Sequence, residues 1–276
     1  MSDNDYIKCN QQWWNANVKA HVASDFYGVE AFLNGKSSLN DIELQLLGNI
    51  EGKSILHLQC HFGMDSISLA RMGAKVTGID FSEPAIEVAR ELAIKTGVQA
   101  QFICCDVYSL PQHLDNHFDM VFTSYGVIGW LPNLQQWAYL ISKYLKPGGC
   151  FVMAEFHPVV WMFDNNFIDV AYRYFQDAPI IETQEGSYAN RETDEKKTSI
   201  SWNHSLSEVI NNLISQGLQL SAFYEYDYSP YHCFQDMDEI APGRFQTKRL
   251  GNKIPMVYSL KAQKVLQQHK SASRGI

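Results

Sequence analysis

The sequence predicts a doubly wound α/β domain, and three observations predict it. Between residues 54 and 156, apolar segments of strand length alternate with segments of helix length, the pattern of βαβ units and a parallel sheet. The first strand runs into a tight loop that opens a helix. The second and third strands each end on an aspartate, Asp80 and Asp106. Right-handed crossovers put these strand ends on one edge of the sheet, where ligands bind near the switch point.

The elements follow in order. Residues 1–50 form an N-terminal helical cover: QQWWNANVKAHVASDFYGVEAF has apolar residues at irregular helical spacing, and Ile42, Leu46 and Leu47 can share one helix face. Ser54–Leu58 is the first strand and 63–72 a helix; Lys75–Asp80 is the second strand. Ser82 is the N-cap of a helix over Glu83–Thr96, with Glu83 at its positive end. Residues 101–105 and Phe118–Ser124 are the third and fourth strands. A helix over 134–146 is stopped by Pro147, Gly148 and Gly149, and 150–156 is the fifth strand.

Residues 158–203 break this rhythm with Trp161, Phe163, Phe167, Tyr172, Tyr174, Phe175, Tyr188 and Trp202. They are expected to form an inserted lid with β-hairpin character, its charged run 191–197 being a solvated turn. The core is then 51–157 plus 204–265, in a single domain spanning 1–276. Ser205 and Glu208 have capping-box spacing for a helix to Gln216. Leu218–Tyr226 and 254–262 are two further strands, joined by a loop over 227–252, which brings the sheet to seven strands. The polar tail 268–276 is expected to be loose.

Bulk properties narrow the function. The chain has 276 residues, 46% hydrophobic and 19% charged, with net charge −8, enough to bury a core without staples. The acidic balance argues against a phosphate backbone as partner. Six cysteines at 9, 60, 104, 105, 150 and 233 show no zinc or CxxC spacing. Cys104 and Cys105 would point to opposite faces of a strand, and the set reads as reduced thiols of a cytoplasmic protein. The opening MSDNDYIKCN has no apolar signal region, and no apolar run approaches the roughly 20 residues that span a bilayer. The partner expectation is a small molecule, with no nucleic acid and no membrane, for a monomer or homodimer.

The chemistry concentrates in ILHLQCHFGMD, residues 55–65. A strand, tight loop and helix start bring backbone N–H groups close to a ligand. Asp80, seventeen residues past Gly63, is placed to hold ribose hydroxyls. Asp106 can accept a hydrogen bond from an adenine amine, with Val107 covering the ring. A single strand-end aspartate is ordinarily a cap or turn residue. Three ligand-facing elements in order, at βαβ spacing, define a binding edge.

These segments resemble the class I, Rossmann-like S-adenosylmethionine-dependent methyltransferases of the small-molecule type. ILHLQCHFG is similar to that family's first motif, GIDFS to the second and CCDVYSLP to the third. FDMVFTSYGVIGWLP resembles the fourth, LKPGG with CFVMAEF the fifth, and IPMVYSLKAQ the last strand. The opening WWN…HVASDFY resembles the cover of a subgroup sharing LHLQCHFG. The resemblance implies a sheet whose last two strands reverse to an antiparallel edge. It implies S-adenosyl-L-methionine as cofactor, S-adenosyl-L-homocysteine as product and an unidentified small-molecule methyl acceptor. Three positions depart from the pattern: His57 replaces the first-motif acid, and Gln59 and His61 replace glycines, leaving Gly63 of the triplet.

Carried over position by position, the resemblance sets His57, Gln59, Cys60, His61 and Gly63 against the methionine moiety. Asp80 holds the ribose, Phe81 lies along the adenine, and Asp106 and Val107 meet the base. Ser124, Tyr125 and Gly126 line the floor. Trp14 or Tyr27 closes the pocket or packs in the core; both readings stand. His57, Cys60 and His61 need not converge and no fourth ligand is visible, so no metal is expected.

Methyl transfer asks mainly for positioning and water exclusion. A base is needed only if the nucleophile carries a proton. His157, past the fifth strand with a reference pKa near 6.5, is the candidate base; otherwise it is a turn residue before Pro158. Glu155 precedes it, and His232 is an outlying candidate. Tyr125 is the second catalytic candidate, and with Trp130 it can present an aromatic face to a cation. The lid is expected to wall the acceptor pocket. A nicotinamide enzyme should show GxGxxG, and a nucleic-acid amino-methyltransferase Pro-Pro-aromatic after the fourth strand; neither is present. A protein or tRNA methyltransferase, and a cofactor-binding module without turnover, remain the alternatives.

Overall fold

A computed structural model describes residues 3–175, 178–189 and 196–265. Most of the charged run 191–197, and the whole tail 268–276, lie outside the described residues. The helices are α1 (Asp3–Ala23), α2 (Val29–Leu33), α3 (Asp41–Leu47), α4 (Met64–Arg71), α5 (Glu83–Thr96), α6 (Leu134–Tyr144) and α7 (Leu206–Ser215). The strands are β1 (Ser54–Leu58), β2 (Lys75–Asp80), β3 (Ala100–Cys104), β4 (Phe118–Ser124), β5 (Leu145–Phe156), β6 (Ile180–Glu185), β7 (Lys196–Ser201), β8 (Leu218–Tyr226), β9 (Met237–Ala241), β10 (Arg244–Thr247) and β11 (Val257–Lys264).

Seven strands form one sheet in the order β3-β2-β1-β4-β5-β11-β8. β1 to β5 are parallel, and only β11 runs antiparallel to its neighbours. The strand order reverses between β1 and β4, so the crevice at their carboxyl ends is the switch point. As expected, the last strand in chain order is the reversed one. β11 lies between β5 and β8 and leaves β8 outermost.

Pleating sorts the core. Leu56, Leu58, Val121, Phe151 and Met153 pack on one side against Trp137, Ile141, Val209 and Leu213 of α6 and α7. Ile55, Val76, Met120, Phe122 and Val152 pack on the other against Leu46, Leu47 and Leu69 of α3 and α4. Each fully buried large side chain contributes roughly 1.5–3 kcal/mol, so the alternation fixes the register. A one-residue slip would turn these side chains out.

Helix caps match the local chemistry. Ser82 accepts from the Ala85 amide, and Asn40 and Glu43 complete a reciprocal capping box on α3. Ser205 accepts from the Glu208 amide, but the Glu208 carboxylate meets His204 Nδ1 at 3.1 Å instead of closing a box. α6 stops at Tyr144, earlier than the Pro-Gly-Gly signal, because Leu145 already pairs with Phe118 and the turn is absorbed into β5.

Two small sheets cover the crevice. β6 and β7 form the expected hairpin inside 158–203. β9 and β10 form a second hairpin within 227–252, where a plain loop was expected. Its Pro242-Gly243 turn was the legible signal. Among the described residues, no helix is long and apolar enough to cross a membrane.

Candidate active site

A cavity of about 1140 Å³ opens at the carboxyl ends of β1, β2 and β4. Its floor is the loop from β1 to α4. Cys60 N bonds Ile79 O and Gly63 N bonds Cys60 O, which folds the loop into a tight turn. Gln59 and His61 hold φ of 54° and 50°, the left-handed region that favours glycine. Gly63, at φ 80°, is required twice over. A Cβ there would stand 2.8 Å from both Ala89 Cβ and Phe102 Cε1.

Asp80 closes β2 and braces this turn. Its Oδ2 accepts from the His61 amide at 2.8 Å and its Oδ1 from the Ser82 amide at 2.9 Å. Burial pushes its carboxyl up to about 6, against the pull of those amides. Each oxygen keeps lone-pair capacity, and the residue lines the cavity with Phe81, Asp106 and Val107. Asp106 Oδ1 caps the short 3-10 turn after β3, accepting from Tyr108 N and Ser109 N. The capping carboxylate is also part of the cavity lining.

His57 shares Ile55's face of β1, on the α4 side, and is 2% exposed. Its Nδ1 lies 2.8 Å from Ser66 Oγ and its Nε2 has no partner among the described residues. Burial lowers its pKa to about 3, so the ring is neutral. Cys60 Sγ approaches the His61 carbonyl, while the His61 ring turns to Trp14 at 5.0 Å between centroids. Cys60 and His57 thus share Ser66 as a partner, while His61 does not join them there.

Past β4, Ser124 Oγ donates to Asp65 Oδ2 at 2.9 Å and Tyr125 Oη donates to Glu43 Oε2 at 2.6 Å. Glu43 is fully buried in α3. Burial, then the neighbouring Asp65, raise its carboxyl to about 7. Tyr125 is itself pushed well above the usual phenol range, first by burial and then by Glu43. Gly126 N, Val127 N, Ile128 N and Phe156 N all donate to the Glu155 carboxylate. Glu155 thus pins the loop after β4.

His157 stands outside this constellation. It follows the last residue of β5 and turns toward β8. There its Nδ1 accepts from Val159 N and its Nε2 bonds Glu225 Oε1 at 3.0 Å. It is 3% exposed and does not line the cavity, whereas Phe156 before it does. His232 lies at the rim against Phe245. Asp65 and Glu43 were not singled out in the sequence, because acids in the first turn of a helix read as dipole partners or caps.

The cover is aromatic. Trp14 is half-buried, lines the cavity and packs on Trp130 at 5.3 Å between ring centroids. Trp13 behind it is buried. Tyr27 Oη meets Tyr188 Oη at 2.5 Å, and Trp161, Tyr172 and Trp202 of the lid complete the wall. Acids predominate in the lining, among them Asp25, Asp65, Asp80 and Asp106, with Lys36 as a cation. Among the described residues no group of three His, Cys, Asp or Glu could hold a metal ion.

Sheet order, switch-point cavity and strand-end acids together make this the Rossmann-like methyltransferase fold. A family model described as a methyltransferase domain matches residues 55–149, the part that builds the cavity floor. The chain is 30% identical over 132 residues to a ubiquinone biosynthesis O-methyltransferase of Photorhabdus laumondii, covering 46% of this chain and 55% of that protein. The chain thus spans about half the length of the curated relatives it matches. A solved S-adenosylmethionine-dependent methyltransferase from Methanosarcina mazei aligns with TM-score 0.57 at 20% identity, covering 83% of this chain and 99% of that one. The structure of a DhpI–SAH complex aligns with TM-score 0.56 at 15% identity, covering 96% and 99%.

Proposed function

We propose that the protein transfers a methyl group from S-adenosylmethionine to a small-molecule acceptor. The observation that carries this is the large cavity at the switch point, with Asp80 and Asp106 at successive strand ends and an aromatic cover. The residues present fit the cofactor. Among the described residues, buried Gln59 Oε1 and His57 Nε2 on the cavity floor have no partner, and the strand-end carboxylates keep free lone pairs. The backbone of 59–61 and Gly63 would hold the amino-acid portion, with His57 and Cys60 beneath. Asp80 would hold the ribose; Phe81, Asp106 and Val107 would hold the adenine; Ser124, Tyr125 and Gly126 would form the floor under Trp14. When bound, the cofactor supplies a sulfonium-activated methyl group.

The chain's own part is positioning and proton handling. The cover of α1 and the lid, residues 158–203, excludes water and sets acceptor choice. An acceptor that arrives protonated gives its proton to the Tyr125 hydroxyl, which passes its own to Glu43. This hydrogen-bonded pair takes the role expected of His157, whose nitrogens are engaged elsewhere. The Photorhabdus relative's name extends, on this reading, to a hydroxyl as the accepting group, since a hydroxyl must lose its proton.

The test is calorimetric titration with S-adenosylmethionine and S-adenosylhomocysteine, beside Asp80→Ala. Micromolar binding of both, weakened at least about tenfold by D80A, is expected from the loss of charge-assisted hydrogen bonds. A folded protein that binds neither at millimolar concentration would rule the reading out.

A further inference from the structure

Two features of the cavity floor point in opposite directions. In the resembled family the first strand ends on an acid. Here that place belongs to His57, buried, neutral and with Nε2 unpartnered. A neutral imidazole on the cavity floor offers nothing to balance a ligand's positive charge. Asp65 supplies a carboxylate to the same cavity from the first turn of α4. Its Oδ1 accepts from Ser38 Oγ at 2.6 Å and its Oδ2 from Ser124 Oγ at 2.9 Å.

Those two hydroxyls come from separate elements, the segment before α3 and the end of β4, and clamp the carboxylate between them. Neither carries charge, and Asp65 has no ion pair among the described residues. A carboxylate taken from water needs a cation or several donors to offset desolvation. The two hydroxyls leave lone pairs on both oxygens unused. The amino terminus of α4 compensates part of the charge. That alone explains neither a clamp built at the switch-point crevice nor the unpartnered His57 nitrogen on the same floor.

We propose that Asp65 binds the α-ammonium group of the methionine moiety, so that the anionic anchor has moved from the end of β1 to the first turn of α4. This rests on the cofactor reading above. It makes Ser38 and Ser124 positioning residues for Asp65, and it makes His57 a neutral floor residue rather than the charge partner.

The experiment is calorimetric titration of wild type and Asp65→Asn with three probes: S-adenosylhomocysteine, its analogue lacking the α-amino group, and 5′-methylthioadenosine, which lacks the amino-acid tail. Wild type is expected to prefer S-adenosylhomocysteine over the amino-less analogue by about 10- to 100-fold, the range of a charge-assisted hydrogen bond. D65N is expected to lose that preference while binding 5′-methylthioadenosine as wild type does, which reports an intact adenosine pocket. Asp65→Ser, which keeps an oxygen for Ser38 and Ser124, serves if D65N does not fold. A variant that retains the full preference overturns the assignment. Wild type that binds adenosine compounds but ignores the amino group also overturns it, while leaving the cofactor reading intact. Wild type that binds none of the probes removes both.

Discussion

Gln59 and His61 show how side chains can occupy a glycine loop. A left-handed backbone at a non-glycine residue costs on the order of 1–3 kcal/mol, and the surroundings hold both in place. Gln59 Nε2 donates to Val127 O at 3.0 Å. The His61 amide donates to Asp80 while its ring packs on Trp14, Tyr27 and Phe62. Glu43 shows the opposite economy, a carboxyl kept buried near its own pKa of about 7. Its folded pKa lies above the unfolded value, so its stabilising contribution is full below about pH 4.5 and is lost as pH rises through about 7. Glu43→Gln removes that dependence. The difference in unfolding free energy between E43Q and wild type should therefore move in the variant's favour from pH 4.5 to pH 7.5. The change is on the order of 3 kcal/mol at most, read from urea titrations at both pH values. The depressed histidines His21 and His57 act in the other direction, but they cancel in the difference. A flat difference would mean that Glu43 ionises as an exposed carboxylate does. Loop, strand-end acids and aromatic cover were all visible in the sequence as residue types at set spacings. Asp65 and Glu43 were not, because their meaning depends on Ser124 and Tyr125, which the chain supplies some sixty to eighty residues later.

At the scale of elements, apolar runs bounded by turn residues located the sheet's seven strands. The misplacements have local physical reasons. Leu145 pairs with Phe118 and so ends α6 before the Pro-Gly-Gly turn. β9 is exposed at three of its five positions, and β10 buries the polar pair Gln246 and Thr247, so neither strand shows an apolar alternation to read. His157 was placed correctly just past β5, but its ring is taken up by Val159 N and by Glu225, a partner that β8 supplies 68 residues later and that local spacing does not reveal. The loop after β4 depends on a single buried carboxylate. Glu155 accepts from four backbone amides, and burial raises its pKa despite them. Glu155→Gln keeps one acceptor oxygen and sets an NH2 group against amide donors. Leaving buried donors unmet costs about 1–3 kcal/mol each, so E155Q should destabilise by about 2–4 kcal/mol. Amide exchange at 126–128 should rise above that of the β4 core. Unchanged exchange there would assign the loop's order to its own turn geometry.

At the scale of the molecule, the cover is one unit made from distant pieces of chain. Asn10 Nδ2 donates to Ile200 O at 2.7 Å, and Ile200 N donates back to Asn10 Oδ1 at 2.9 Å. His21 Nε2 meets Ser187 Oγ, and Tyr6 packs edge-on against Trp202. α1 and the β6–β7 hairpin are thereby coupled to each other as well as to the core, and together they roof the cavity. A ligand the size of S-adenosylhomocysteine that reaches the strand ends has to pass this roof, so binding and roof opening share one equilibrium. At one hundred times its dissociation constant, such a ligand adds about 2.7 kcal/mol. In a chain of this size that raises the melting temperature by about 5 °C. Hydrogen exchange should locate the effect. Protection is expected to rise in α1, β6 and β7 together, and to change little in α6 and α7, which pack on the remote face of the sheet. Protection of one roof piece without the other would break the coupling that Asn10 and Ile200 imply. Protection spread evenly over the sheet would mean that the ligand stabilises the fold without a moving roof.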